Sequence, residues 1–144
     1  MARAADWLLK AKRPLVMMGR GSRDVGDWKR RVRLVEQLGA AVVTDMHNPA
    51  VFPSNHPNHI VEPRFRPSPR SAELVRQADV VLVIDWLDPA GYFAQTVKTN
   101  IGKSPTAKII NVSVDSYMHR GWSKDHQALP AADLSVHSAP DPFV

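Results

Sequence analysis

The feature that most constrains this chain is the alternation of short, mainly apolar runs with segments of helical periodicity. The runs occupy residues 15–18, 41–45, 79–85 and 108–115, and a shorter one lies at 134–136. Runs that stay apolar, instead of alternating with polar residues, are typical of strands buried on both faces of a parallel sheet. The pattern therefore predicts an α/β fold: a Rossmann-like open parallel sheet of about five to six strands with helices on both faces.

The segment after the first run predicts an amphipathic helix that Asp24 caps and Gly39 ends. Within it, Arg30, Arg31 and Arg33 alternate with apolar residues, so we place these three arginines on the solvent face. Further helices are predicted at residues 3–11, 71–77 and 89–98.

Composition narrows the function classes. With 144 residues, the chain has the size of a single domain spanning residues 1–144. The absence of cysteine excludes thiol nucleophiles, disulfides and thiolate metal sites, and it fits a reducing compartment. The apolar runs fall far short of the roughly 20 residues of a membrane span, so we expect a cytoplasmic domain without membrane contact. The net charge of +5 is concentrated in the first 33 residues. This leaves a basic nucleic-acid-binding domain as an alternative, although we expect no such partner because arginines on a helix are usually solvated.

In a parallel sheet, ligands bind beyond the carboxyl ends of the strands, and the loop after the first run is a candidate site. There Gly19, Arg20 and Gly21 would let backbone N–H groups approach a phosphate. Asp45 follows near the spacing of a ribose-binding carboxylate, whereas Asp24 stands where a dinucleotide motif has its third glycine. Two interpretations stay open: a free-standing NAD- or FAD-binding protein with Asp45 on the ribose, or glycines that serve only the turn.

Half of the chain's twelve prolines fall within residues 46–70 and indicate a long structured loop. The loop carries His47, His56 and His59, whose spacing is not that of a zinc site on a helix. We therefore interpret them as hydrogen-bonded loop histidines and assign no metal ligand.

A pair of carboxylates, Asp85 and Asp88, follows the third run. Such a pair could act in acid–base chemistry, or it could cap the helix that begins near Pro89, which is the commoner use of Asp before Pro. The residues alone leave both interpretations open, and we assign no catalytic residue.

Five stretches, in this order, resemble a known module. They are AKRPLVMMGRG at residues 11–21, LVEQLGAAVVT at 34–44, FPSNHP at 52–57, QADVVLVI at 77–84 and AKIINVSVD at 107–115. Together they resemble the central domain of thiamine-diphosphate-dependent enzymes of the acetolactate synthase and benzoylformate decarboxylase type. The FPSNHP loop is the most specific stretch, because a generic Rossmann-like sheet does not require it.

The resemblance implies a three-domain parent enzyme, a carboligase or decarboxylase (a lyase or a transferase) that acts on 2-oxo acids as a homodimer or homotetramer. In that family the first domain supplies the glutamate that activates thiamine, and the third binds the diphosphate through Mg²⁺ with a Gly-Asp-Gly motif. This chain has no Gly-Asp-Gly. We therefore expect a non-catalytic segment whose partners are the flanking domains of the parent chain.

Central domains of this family either bind FAD or an ADP group at the strand ends, or act as scaffolds. Asp85 and Trp86 stand where the family often has a glycine, and residues 137–138 (His-Ser) replace a usual Gly-Asp. These departures favour the scaffold over FAD or ADP. If a nucleotide binds, we expect its phosphate at the backbone N–H groups of Gly19, Arg20 and Gly21, with Arg20 as counter-charge and Asp115 on the ribose or adenine. We expect residues 46–60, which include His47 and Asn48, to face the neighbouring catalytic domain.

Overall fold

The structure, a computed structural model, describes residues 2–97, 105–115 and 131–144. The helices in these ranges are α1 (Ala2–Lys10), α2 (Val25–Leu38), α3 (Pro69–Gln77), α4 (Pro89–Val97) and α5 (Pro140–Phe143). The strands are β1 (Pro14–Met18), β2 (Ala41–Thr44), β3 (Val80–Ile84), β4 (Lys108–Val112) and β5 (Leu134–Val136). Among the described helices, none is long and apolar enough to cross a membrane.

The strands form one sheet in the order β2-β1-β3-β4-β5, and every neighbouring pair is parallel. In the centre, Val16 pairs with Val42 on one side and with Leu82 on the other. This confirms the predicted open parallel sheet. The apolar runs at 79–85 and 108–115 are longer than the strands they contain, because the strands end before the polar residues at the carboxyl edge.

The side chains of the strands alternate between two apolar layers, one on each face of the sheet. Val16, Leu82 and Ile110 face the layer that contains residues of α1 and α2. Met17 and Val83 face the opposite layer, which contains residues of α3 and α4. Helices therefore cover both faces, as predicted, and β1, β3 and β4 are buried on both sides.

Helix α2 begins and ends where the sequence predicts. The Asp24 carboxylate accepts a hydrogen bond of 3.0 Å from the amide of Asp27, and Gly39 ends the helix with a φ of 58°. The prediction that Arg31 lies on the solvent face is wrong: it is 1% exposed, whereas Arg30 and Arg33 are exposed. Arg31 is buried because it points toward the carboxyl edge of the sheet, where it finds an ionic partner.

The proline-rich loop covers the outer edge of the sheet beside β2. The amide of Val42 donates to the carbonyl of Asn58 at 2.8 Å, and the Asn58 side chain donates to the carbonyl of Ala40 at 2.8 Å. These bonds pair backbone groups that an edge strand otherwise exposes. The loop is therefore a structured part of the domain, as its prolines indicate.

Candidate functional site at the carboxyl edge of the sheet

The strand order places a topological switch point at β1, whose two neighbours are β2 and β3, and a ligand of such a sheet binds beside that point. Here the loop after β1 lies directly on the chain after β3. A Cβ atom on Gly19 would stand 2.2 Å from the carbonyl oxygen of Asp85. The Gly19 amide donates to the carbonyl of Ile84 at 2.8 Å, and the Arg20 amide donates to that of Asp85 at 3.0 Å. These two N–H groups are thus bonded within the protein.

The Arg20 side chain bridges the ends of β3 and β4. Its Nη2 donates to Asp85 Oδ1 at 2.9 Å and to Asp115 Oδ2 at 2.6 Å. Its Nε lies 2.8 Å from Asp85 Oδ2, in a geometry too bent for a hydrogen bond. Burial lowers the pKa of Arg20, but the hydrogen bonds to the two carboxylates outweigh this and raise it. The guanidinium is therefore a permanent cation held between two carboxylates.

Asp85 is the buried member of this group, with a side chain only 6% exposed. Its Oδ1 also accepts a hydrogen bond from Ser113 Oγ at 2.6 Å. Its φ is 46°, in the left-handed region that a residue with a Cβ rarely adopts. The next residue, Trp86, is buried and packs edge to face on Tyr92, with ring centroids 5.0 Å apart. The turn after β3 is thus fixed by an ion pair on one side and an aromatic pair on the other.

A second ion pair lies at the loop after β1, beyond Arg20. Arg31 forms an ion pair with Asp141 of α5, and its Nη2 donates to the carbonyl of Ser22 at 2.8 Å. The other Asp141 oxygen accepts a hydrogen bond of 2.8 Å from the Ser22 amide. Sequence reasoning missed both residues. A signal for Arg31 exists: it lies three residues after Trp28 and four before Val35, so it falls on the apolar stripe of α2.

At the end of β2, the buried carboxylate of Asp45 organises the start of the proline-rich loop. Its Oδ1 accepts from the amide of His47 at 3.0 Å and lies 2.7 Å from His47 Nδ1. Its Oδ2 accepts from the Asn48 side chain at 3.2 Å. Asp45, the ribose candidate of the dinucleotide interpretation, thus makes three side-chain contacts with two residues of its own loop.

The other two histidines of the loop also contact neighbouring elements. His59 Nε2 lies 3.0 Å from Thr44 Oγ1, and His56 Nε2 lies 3.3 Å from Glu36 Oε1. Burial lowers the pKa of His59, although its contacts with the backbone of the preceding loop act in the opposite direction. In residues 2–97, 105–115 and 131–144, no three acidic or histidine side chains are grouped as metal ligands.

The capping interpretation is confirmed for Asp88, because its Oδ1 accepts a hydrogen bond of 3.0 Å from the amide of Gly91 in the first turn of α4. Asp85, in contrast, is bound to Arg20 and Ser113. The two carboxylates therefore have separate structural partners.

Comparison with known proteins decides the family. The family model described as "Thiamine pyrophosphate enzyme, central domain" matches residues 1–133. The chain belongs to this family. A search of curated proteins found no match. Among solved structures, a proposed thiamin diphosphate-dependent enzyme from Mycobacterium smegmatis is 20% identical, with a TM-score of 0.62. The match covers 93% of this chain and 24% of that one, so the chain spans about a quarter of that protein's length.

Membership of the thiamine pyrophosphate central-domain family confirms the coarser part of the resemblance, and the fold agrees with it. Among the candidate residues for a nucleotide, Arg20 and Asp115 are in direct contact, and Gly19 packs against the chain that follows β3. Gly21 lies instead at the second ion pair, where its Cβ would stand 3.1 Å from Arg31 Nη1. Their assignment to a nucleotide stays a prediction. Residues 116–117, which directly follow Asp115, lie outside the described residues.

In this thiamine pyrophosphate enzyme central domain, the two arginines described at the carboxyl edge do not fit a diphosphate group. Diphosphate binding requires cations or N–H groups that are free to face the ligand. Arg20 already faces Asp85 and Asp115, and Arg31 already faces Asp141. The edge therefore presents charges that the domain has neutralised itself.

Proposed function

We propose that this chain is the non-catalytic scaffold domain of a thiamine-diphosphate-dependent enzyme of the acetolactate synthase type. The parent enzyme makes or breaks bonds next to the carbonyl of a 2-oxo acid, and its flanking domains bind the thiamine diphosphate and Mg²⁺. Family membership supports the domain assignment. The observation that carries the scaffold role is the neutralisation of Arg20 by Asp85 and Asp115 at the switch point.

The electrostatic argument against a nucleotide at this edge rests on Asp85. A pyrophosphate that takes Arg20 for itself leaves the Asp85 carboxylate buried without its cation, and breaking a buried ion pair in this way costs about 3–5 kcal/mol. Because the Arg20 side chain is 39% exposed, solvent screens the pair and the cost lies below that range, toward the roughly 1 kcal/mol of exposed pairs. The phosphates would also lie beside two carboxylates, and like charges at such short distances repel strongly. The competing proposal is a nucleotide, FAD or ADP, on Gly19, Arg20, Gly21 and Asp115.

We also propose that residues 46–60, with His47 and Asn48, face the neighbouring catalytic domain. Met46 is 47% exposed, and Phe65, whose ring lies 4.6 Å from that of His47, is 58% exposed. Exposed apolar side chains beside a structured loop suit an interface between domains better than a solvent surface. In the parent enzyme, a homodimer or homotetramer, this surface would then be covered. A chain without cysteine fits a cytoplasmic enzyme.

The scaffold role is tested by calorimetric titration of the purified chain with FAD and with ADP. We expect no heat of binding up to millimolar nucleotide. A dissociation constant below about 100 μM (roughly 5.5 kcal/mol) that is weakened by Asp115→Ala would establish the competing nucleotide site instead. The same titration with NADH examines the free-standing dehydrogenase, and migration of labelled DNA at low salt examines the nucleic-acid alternative.

The parent activity is tested on the complete reading frame that contains this segment. We expect a glutamate-bearing domain before it and a Gly-Asp-Gly domain after it, and release of CO₂ from pyruvate or benzoylformate that requires thiamine diphosphate and Mg²⁺. A native gene that encodes only these residues would refute the proposal. Met46→Ser with Phe65→Ser should weaken activity of the complete enzyme, whereas Leu9→Ser, at an exposed position of α1, serves as the matched control.

A further inference from the structure

The Asp141 carboxylate is bound to the loop after β1 in the manner of a ligand. One of its oxygens accepts from the Ser22 amide at 2.8 Å, and the other pairs with Arg31 Nη1. Asp141 is more than a hundred residues away from both in sequence. It belongs to α5, a helix of four residues none of which is fully buried. The carboxylate therefore reaches the site from a short helix whose Phe143 packs, partly buried, against the core.

The receiving site has the composition of an anion site. The Arg31 side chain is only 2% exposed, so its charge has little access to water. Its Nε donates to the carbonyl of Val51 at 3.0 Å and its Nη2 to that of Ser22 at 2.8 Å, which leaves Nη1 for the ion pair. The two carbonyls are neutral and satisfy donors without balancing charge. A buried guanidinium beside a backbone N–H is a usual arrangement for an oxyanion.

Two further features shape the site. Gly21 lines it without a side chain, and a Cβ there would stand 3.1 Å from Arg31 Nη1. Another carboxylate of the same region, Asp27, is bound by Ser22 Oγ and by Arg30. Asp27 is thus neutralised separately, and Arg31 retains a full charge for its own anion.

We propose that Arg31 and the Ser22 amide form a binding site for one oxyanion group, a carboxylate or a phosphate, and that Asp141 occupies it as an intramolecular ligand. Helix α5 is then a latch that keeps free anions out of the loop after β1. Release of the latch opens the site. This inference is independent of the parent enzyme's reaction, because it concerns a contact within the described domain.

The test compares the unaltered chain with Asp141→Ala by thermal unfolding, in sodium formate and in sodium chloride of equal ionic strength. Asp141→Ala should lower Tm by about 10 °C, because it leaves a buried guanidinium without its anion. Formate at 100 mM should then restore about 4 °C of that loss, as a ligand with a dissociation constant near 10 mM would. The same measurement in inorganic phosphate shows whether the site admits only a carboxylate or also a phosphate.

Two variants isolate the site. The double variant Arg31→Met with Asp141→Ala also lacks the guanidinium. Formate should therefore raise its Tm no more than chloride does. The control Asp133→Ala removes a carboxylate that accepts a hydrogen bond from the backbone amide of Ile109 at 2.8 Å. Its Tm should be the same in formate as in chloride. Hydrogen exchange at the Ser22 amide should accelerate in Asp141→Ala and slow again in formate, which reports occupancy directly.

An unchanged Tm in Asp141→Ala would overturn the proposal, and so would an equal effect of formate and chloride on that variant. Equal stabilisation of all variants by formate would mean a general solvent effect and would overturn it too. If the double variant does not fold, the formate–chloride comparison and the Ser22 exchange in Asp141→Ala still decide.

Discussion

Replacing Gly19 by alanine should destabilise the domain more than the same change at Gly21, Gly26 or Gly39. The added Cβ would meet three backbone atoms of the chain after β3: the Asp85 carbonyl oxygen at 2.2 Å, its carbon at 2.6 Å and Trp86 Cα at 2.6 Å. Carbon and oxygen atoms without a bond between them do not approach this closely. Because all three atoms belong to the backbone, relief requires β1 and β3 to separate at their carboxyl ends.

The magnitude follows from what that separation breaks. Overpacking of this kind costs about 1–3 kcal/mol, and the hydrogen bonds that Gly19 and Arg20 donate to the end of β3 contribute about 1 kcal/mol each. We therefore expect a loss of about 3 kcal/mol or more, a large part of the 5–15 kcal/mol typical of a whole domain. Urea unfolding followed by circular dichroism at pH 7 measures it.

Gly39→Ala is the matched control, because it has a φ of 58° with nothing within 4 Å of the added Cβ. It should cost only the strain of the left-handed backbone, about 1 kcal/mol. If Gly19→Ala costs no more than Gly39→Ala, the close packing of the two strand ends is not what Gly19 serves. A phosphate-binding role would instead leave stability intact and appear as lost nucleotide affinity.

Three further changes probe the ends of the strands. Asp88→Ala should cost about 1 kcal/mol by removing the cap of α4, measured by urea unfolding; an unchanged midpoint would contradict the capping role. His59 has a lowered pKa in the folded domain because of burial, so stability should fall as pH drops below the ordinary value of about 6.5. His59→Gln should reduce the fall in the free energy of unfolding between pH 7.5 and 5.5. An unaltered dependence of that free energy on pH would refute the prediction. Burial raises the pKa of Asp79, but hydrogen bonds from the amides of Lys12 and Arg13 outweigh this and lower it. Asp79→Asn should therefore weaken the domain above pH 4, while the unaltered chain loses this stabilisation as pH falls through the lowered pKa.

The fold was predictable because its signals are local. The buried strands are continuous apolar runs, and the N-cap Asp24 and the left-handed Gly39 stand at the ends of α2 as the sequence indicates. Each of these features depends on residues only a few positions apart. Family resemblance then added the correct domain type, because the order of five such local pieces is more specific than any one of them.

The positions of Arg20 and Asp115 near the ends of β1 and β4 follow from the predicted strands, but the contacts of the candidate site do not. Arg20 contacts Asp115 across 95 positions, and Arg31 contacts Asp141 across 110. No local pattern specifies such pairs. The error at Arg31 has a definite cause: an arginine on a helix is normally solvated, whereas this one is stabilised on the apolar side of α2 by Asp141 and by the carbonyls of Val51 and Ser22.

At Asp85, the switch point combines a strained backbone conformation with a stabilising ion pair. A φ of 46° favours glycine there, and an aspartate costs about 1 kcal/mol in strain. The strain is tolerated because the carboxylate binds Arg20 and Ser113. Asp85→Gly should therefore relieve the backbone and still destabilise the domain, since it leaves Arg20 with Asp115 alone among its carboxylate partners. If the glycine variant proves more stable, the ion pair contributes less than the strain, and the electrostatic argument for a closed, nucleotide-free edge fails with it.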